Sequence, residues 1–208
     1  QSYNSDRNQL FRAISHDLKT PITRLRLRVD LIDDDVMRER LEADLQELEL
    51  LAKNALQSMK DTDIHENAEW VDVERMLRGM AEAYQGETPG QVVVKGHGHS
   101  YRGKPLALKR CLGNLVDNAV KYGDRALVRL EDGPGRLTIH VEDEGPGVSE
   151  EQLSRIFEPY YRLDKNHRQG FGLGLGIARN IAQSHGGELE VRNRPSGGLH
   201  VKLTLPRH

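Results

Sequence analysis

Two runs of apolar residues, spaced by threes and fours, limit the first sixty residues to helices that need a partner. Phe11, Ile14, Leu18, Ile22, Leu25, Val29 and Ile32 line one helical stripe. Leu41, Leu45, Leu48, Ala52, Ala55 and Met59 alternate spacings of four and three, a heptad seam. Asp33-Asp34-Asp35 interrupts between them. The pattern predicts helices over 6–33 and 36–59, joined by a short turn into an antiparallel hairpin. Such a hairpin has too little core of its own. A second copy would cover both stripes in a four-helix bundle, so a homodimer is expected.

The first helix carries Phe11-Arg12-Ala13-Ile14-Ser15-His16-Asp17-Leu18-Lys19-Thr20-Pro21. At ~100° per residue, His16 lies roughly 160° from the centre of the stripe, so its imidazole points away from the core. Thr20, one turn on, shares that face at about 6 Å. Asp17 is adjacent and reaches the imidazole by rotamer choice. Pro21 has no N–H, which deprives the Asp17 carbonyl of its helical partner and predicts a kink. Taken alone, the segment fits either a solvated surface histidine or an exposed reactive one. Leu27 and Leu31 fall on the His16 side, about 16 Å and 22 Å further along the axis. They fit either bundle core or an exposed docking patch for a partner protein.

Bulk properties exclude several classes. A net charge of −2 gives no broad electrostatic basis for binding nucleic acid or a membrane surface. Cys111 is the only cysteine, which rules out a disulfide or cysteine-based zinc framework; a reduced, buried thiol on a helix is expected. No run of eighteen apolar residues is present, and no signal peptide is visible. The polar helical start reads as part of something longer.

Residues 60–69 (KDTDIHENAE) are polar and without apolar period, which predicts three parts: a helical hairpin over 1–60, a hinge-like linker over 61–69 and a second domain over 70–208. Within the last, 72–84, 105–122 and 177–185 read as helices, with Pro105 in a first turn. Residues 91–95, 126–130, 137–141, 189–191 and 200–205 read as strands, with a turn at Asp132-Gly133-Pro134-Gly135. Ser149-Glu150-Glu151-Gln152 is a capping box. The expected class is α/β, with helices on one face of a mixed sheet.

Three motifs there carry chemistry. Asn114 and Asn118 share a helical face, and amide oxygens suit Mg²⁺. Lys121 offers a point charge to phosphate and Tyr122 an aromatic face to a base. A polar solvated helix face is the plainer reading. Asp143-Glu144-Gly145-Pro146-Gly147 follows a strand whose alternation sends Asp143 inward, where a carboxylate needs a partner such as the exocyclic amine of adenine. Gly145 and Gly147 permit positive φ and close backbone approach, although a simple turn would also use them. Gly170-Phe171-Gly172-Leu173-Gly174-Leu175-Gly176 runs into a helix, a natural anion site rather than a dinucleotide fingerprint. Phe157, Tyr160, Tyr161, Arg162, Lys165, His167 and Arg168 lie between the second and third motifs, as in a lid over a nucleotide. Arg162, Lys165 and Arg168 are the candidate cations for a γ-phosphate. Gly98–Lys104 fails as a P-loop because Pro105 stands where a hydroxyl is needed. His97 and His99 read as a surface loop rather than metal ligands.

The motifs occur in the order found in bacterial sensor histidine kinases of two-component systems. FRAISHDLKTPIT resembles the H box, NLVDNAVKY the N box, DEGPG the G1 box, FEPYYR the F box and GFGLGLGIA the G2 box. Each motif is weak by itself, and five in order are specific. Phe171 departs from the more usual Ser or Thr of the G2 box without removing a backbone donor. The general look is nearest the osmosensor type. The resemblance implies a HisKA-type hairpin, dimeric through a four-helix bundle, followed by the α/β sandwich of the GHKL (Bergerat) ATP-binding fold. It implies His16 as phosphoacceptor, Asp17 as its base or orienter, and Thr20 as the residue orienting water when a regulator is dephosphorylated. ATP and Mg²⁺ are the implied cofactors, with Asn118 and Asn114 on the metal and Lys121 on phosphate. Asp143 would read adenine and Tyr122 would pack near the base. Gly145, Gly147, Arg162, Gly170, Gly172, Leu173 and Gly174 would surround the nucleotide. The implied partners are a second copy and the receiver domain of a response regulator, with no nucleic acid and no membrane contact by this portion. The implied location is cytoplasmic, as part of an inner-membrane sensor. A GHKL ATPase or clamp of the gyrase, Hsp90 or MutL kind shares the Asn and Gly motifs but lacks the HDxxTP hairpin.

Overall fold

The structure, a computed structural model, describes residues 20–46, 48, 66–85, 90–158 and 173–207. The chain divides into two compact units, 1–65 and 66–208.

In the first unit, residues 20–29 (α1) and 35–46 (α2) are helical. The aspartate triplet between them is a built turn. Asp34 Oδ1 accepts the Met37 N–H at 3.0 Å, which caps α2. Arg38 donates to the Ile32 carbonyl at 3.1 Å and pairs with Asp35. Val29 and Leu45 are buried. The stripe residues Leu25 (43% exposed) and Leu48 (51%), together with Leu27 and Leu31, remain open to solvent in the single chain. The kink expected from Pro21 turns on the Asp17 carbonyl, which lies outside the described residues.

The second unit is a layer of helices on one face of a mixed sheet. Its strands are β1 (Glu69–Val71), β2 (Val92–Lys95), β3 (Tyr101–Gly103), β4 (Ala126–Asp132), β5 (Arg136–Asp143), β6 (Glu188–Asn193) and β7 (Leu199–Pro206). The helices are α3 (Val73–Gln85), α4 (Pro105–Gly123), α5 (Glu150–Arg155) and α6 (Gly174–Ser184). The main sheet runs β2-β4-β5-β7-β6, parallel only between β2 and β4; β1 and β3 form a small antiparallel pair. Alternation along β5 sends Leu137, Ile139 and Val141 to the helical side. There they meet Leu108, Cys111, Leu112, Leu115, Val116 and Ala119, the three-and-four stripe of α4, with α3 and α6 beside it. Burial pushes the Cys111 thiol up to about 12, so it is an unreactive packing group.

Two connections were not legible in the sequence. The stretch read as linker ends inside this unit. Glu69 opens β1, and the Glu66 carboxylate accepts the amides of Leu106 (2.5 Å) and Ala107 (3.1 Å) at the start of α4. Lys104 supplies no side-chain cap there, so Glu66 satisfies the exposed helix end from forty residues upstream. His185 accepts the Lys104 N–H through Nε2 (3.0 Å) and donates from Nδ1 to the Ile181 carbonyl (2.8 Å), which fixes its tautomer and ties the end of α6 to the start of α4.

His97 and His99 serve structure. His97 Nδ1 lies 3.1 Å from Glu74, and His99 binds Asp132 through its amide (2.7 Å) and ring (2.9 Å). Arg207 forks onto the same Asp132 and onto the carbonyls of His99 and Ser100. Burial alone would raise the Asp132 carboxyl, but the hydrogen bonds from His99 and the Arg207 charge hold it below the usual carboxylate range. The outer face of the sheet carries a directional chain. Arg192 Nε donates to His200 Nδ1 (2.7 Å), so His200 donates from Nε2 to His140 Nδ1 (2.8 Å), and His140 Nε2 faces Glu131 at 3.3 Å.

Candidate nucleotide site

α4 organises the site because its two faces differ. The apolar stripe is buried in the core, and the opposite edge carries Asn114, Asn118 and Lys121. The Nδ2 of Asn114 is buried without a hydrogen-bond partner among the described residues. A buried amide of that kind requires an account. A Cβ built on Gly174 would lie 3.6 Å from both amide atoms of Asn118 and 3.7 Å from Asn114 Oδ1. The first residue of α6 therefore abuts both asparagines, bringing together two motifs sixty residues apart in sequence. Leu173, the N-cap of α6, makes no side-chain cap, so the first-turn amides are not satisfied by it. Amide oxygens for Mg²⁺ beside backbone N–H groups for phosphate oxygens form a donor set suited to a magnesium-bound polyphosphate.

At the C-terminal end of α4, the second half of the site forms around Asp143. This residue closes β5 and is 6% exposed, as its parity requires. Its Oδ1 accepts two backbone amides, Gly145 at 2.9 Å and Leu199 at 3.0 Å. Oδ2 receives no hydrogen bond among the described residues, which leaves an acceptor directed by a fixed carboxylate. Three glycines make room for it. A Cβ would come within 2.6 Å of Asp143 Cβ at Gly123, 2.4 Å of the Tyr122 carbonyl at Gly145, and 2.1 Å of the Asp143 carbonyl at Gly198. Gly147 adopts φ +72°, the conformation its place in the motif anticipates. Lys121 Nζ donates to the Tyr122 hydroxyl (3.1 Å) and sits 4.6 Å above its ring, a cation–π pair at the site's edge.

Phe157 is the described residue at the start of the segment read as a lid. It packs on the core, and Arg179 lies 4.7 Å over its ring. His16, Asp17, Arg162, Gly170, Gly172 and the segment carrying Lys165 and Arg168 lie outside the described residues. Thr20 is the first described residue of α1 and is exposed. Sequence reasoning missed Gly123, Asn193, Arg194 and the Gly197-Gly198 turn. The only signal for the last was the run Pro195-Ser196-Gly197-Gly198 between two strands.

Comparison with known proteins agrees with this geometry. Residues 6–62 match the His Kinase A (phospho-acceptor) domain, and residues 103–208 match the histidine kinase-, DNA gyrase B- and HSP90-like ATPase family. The sensor histidine kinase GtrS of Pseudomonas aeruginosa is 59% identical over 206 residues, 99% of this chain and 43% of the relative. The sensor histidine kinase CpxA of Escherichia coli is 31% identical over 222 residues, 97% of this chain and 47% of that protein. The chain thus spans less than half the length of these relatives. Among solved structures, the ATP-binding domain of PrrB from Mycobacterium tuberculosis superposes with a TM-score of 0.56 at 26% identity, covering 69% of this chain and 99% of that one. Full-length ShkA, solved with AMPPNP, shares the fold over 96% of this chain and 46% of its own, with a TM-score of 0.68 at 22% identity. No helix among the described residues is long and apolar enough to cross a membrane. A phospho-acceptor hairpin in sequence, an ATPase-type domain in structure and relatives aligned over almost every residue agree: the chain belongs to the sensor histidine kinase family.

Proposed function

We propose that this chain binds Mg²⁺-ATP, phosphorylates its own His16 and passes the phosphoryl group to an aspartate on the receiver domain of a response regulator. The observation that carries the reading is the convergence on α4. Its middle meets the bare N-terminus of α6, and its end meets the fixed carboxylate of Asp143. Asp143 accepts from the exocyclic amine of adenine through its remaining oxygen, and the asparagines hold the metal. Bound Mg²⁺ supplies charge neutralisation at the phosphates. An imidazole nitrogen of His16 forms a bond to the γ-phosphorus as the bond from that phosphorus to the bridging oxygen breaks, and ADP leaves. Asp17 keeps the imidazole in its nucleophilic tautomer and takes up its proton. Catalysis of this kind is mainly positioning and electrostatics. Thr20, one turn from His16, orients water for regulator dephosphorylation. The hairpin works as a homodimer, joined to the ATP-binding part by the polar run read as a linker over 61–69, and the chain is the cytoplasmic portion of a membrane-anchored sensor.

Incubation with γ-³²P-ATP tests this directly. The chain is expected to take up label that is stable to base and labile to acid. His16→Gln is expected to abolish labelling while ATP still binds. Label retained in that variant would overturn the acceptor assignment.

A further inference from the structure

The β6–β7 turn holds the carboxylate from behind. It is built from Asn193, Arg194 and Gly197-Gly198-Leu199, fifty residues downstream of Asp143. The Asn193 amide accepts the Val148 N–H (3.0 Å) and donates to the Val148 carbonyl (2.7 Å), so it binds the loop after the G1 motif as a strand neighbour would. The Arg194 guanidinium donates to the Asp143 backbone carbonyl. Its Nε lies 3.5 Å from Glu142, which also pairs with Arg129 at 2.6 Å. The turn closes on itself through Arg194 N–H to the Gly198 carbonyl (2.9 Å) and Gly197 N–H to the Arg194 carbonyl (3.1 Å). It then presents the Leu199 N–H to Asp143 Oδ1. The backbone of Gly198 is pressed so close to the Asp143 carbonyl that a Cβ would stand 2.1 Å from it.

We infer that Arg194 is a positioning residue for base discrimination, acting through Asp143 by locking the turn that fixes the rotation of its carboxylate. The inference rests on Asp143 reading adenine. A carboxylate held in one orientation accepts from the N6 amine of adenine and repels the O6 of guanine. A carboxylate free to rotate does neither well, so a weakened turn narrows the gap between the two bases rather than weakening all nucleotides equally. Asn114, Asn118 and the start of α6, which would hold the metal and the phosphates, lie on other elements than this turn.

Titration of the full chain with Mg-ATP and with Mg-GTP tests it, with thermal melting as a check on folding. The wild-type chain is expected to prefer ATP. Arg194→Ala is expected to cut the ATP-to-GTP affinity ratio about tenfold, the scale of one charge-assisted hydrogen bond. Arg194→Lys, which can still donate to the carbonyl, is expected to restore much of it. An Arg194→Ala chain whose ratio is unchanged, or whose two affinities fall together, overturns the inference while a reduced ratio in Asp143→Ala leaves the base reading standing. If Asp143→Ala also keeps the ratio, or the wild type shows no preference, the base reading falls and the inference with it.

Discussion

A single carboxylate oxygen separates Asp143 from a residue of a plain turn. DxGxG is common, and what distinguishes Asp143 is that two backbone amides immobilise one oxygen and leave the other in place. The alternation of β5 made its burial legible. The second amide, from Leu199, was not, because nothing local to either residue encodes a bond across fifty-six positions. His200 shows the same limit. In sequence it is one residue of an alternating strand; in the structure it accepts from Arg192 and donates to buried His140. Burial first, then the Arg192 charge and His140, holds its pKa below the ordinary histidine value of 6.5, with Glu142 pulling the other way and Arg129 adding to the depression. The unfolded chain therefore binds more protons than the folded one below that value. Stability is fully present above pH 6.5 and falls as pH drops toward the lower folded pKa. Melting curves are expected to shift downward between pH 7.5 and 5.5. His200→Gln, which keeps one donor and one acceptor without titrating, should reduce that shift; an undiminished shift would place the titration elsewhere.

Elements with a period or a cap signal were readable, and the two shortest strands were not. α3, α4 and α6 follow three-and-four stripes, and β4, β5 and β7 alternate apolar with other residues in sequence. The capping box of α5 forms as written, with Gln152 N–H on Ser149 Oγ at 3.3 Å and Ser149 N–H on Gln152 Oε1 at 2.9 Å. β1 and β3, of three residues each, are too short to show a period. Pairing with one another defines them. Glu66 was hidden for a related reason. A polar run looks like linker until one of its carboxylates is found capping a distant helix. Glu66→Ala is expected to lower stability by about 1 kcal/mol, a drop in melting temperature of roughly 3 °C. Glu66→Gln, whose amide oxygen still accepts, should lose less. Equal losses would mean that charge at the helix end matters more than the hydrogen bond.

For the molecule as a whole, the hairpin poses an area problem. Leu25 and Leu48 occupy stripe positions yet are 43% and 51% exposed in one chain. A second copy would cover them in a four-helix bundle. Sedimentation at micromolar concentration is expected to give a dimer, and Leu48→Glu should shift it toward monomer; a wild-type monomer would refute the bundle. The topology of the other unit has a different implication. Within the sheet β6 pairs with β7 alone, and β7 lies between it and β5. On a ribosome, β6 would emerge with no edge to join, and Asp143 would wait for the Leu199 amide until β7 had been made. A nascent chain stalled before residue 199 would hold most of its sequence motifs and still lack the inserted strand that completes the sheet, so the Asp143 carboxylate would be fixed in place only at the end of this unit's synthesis.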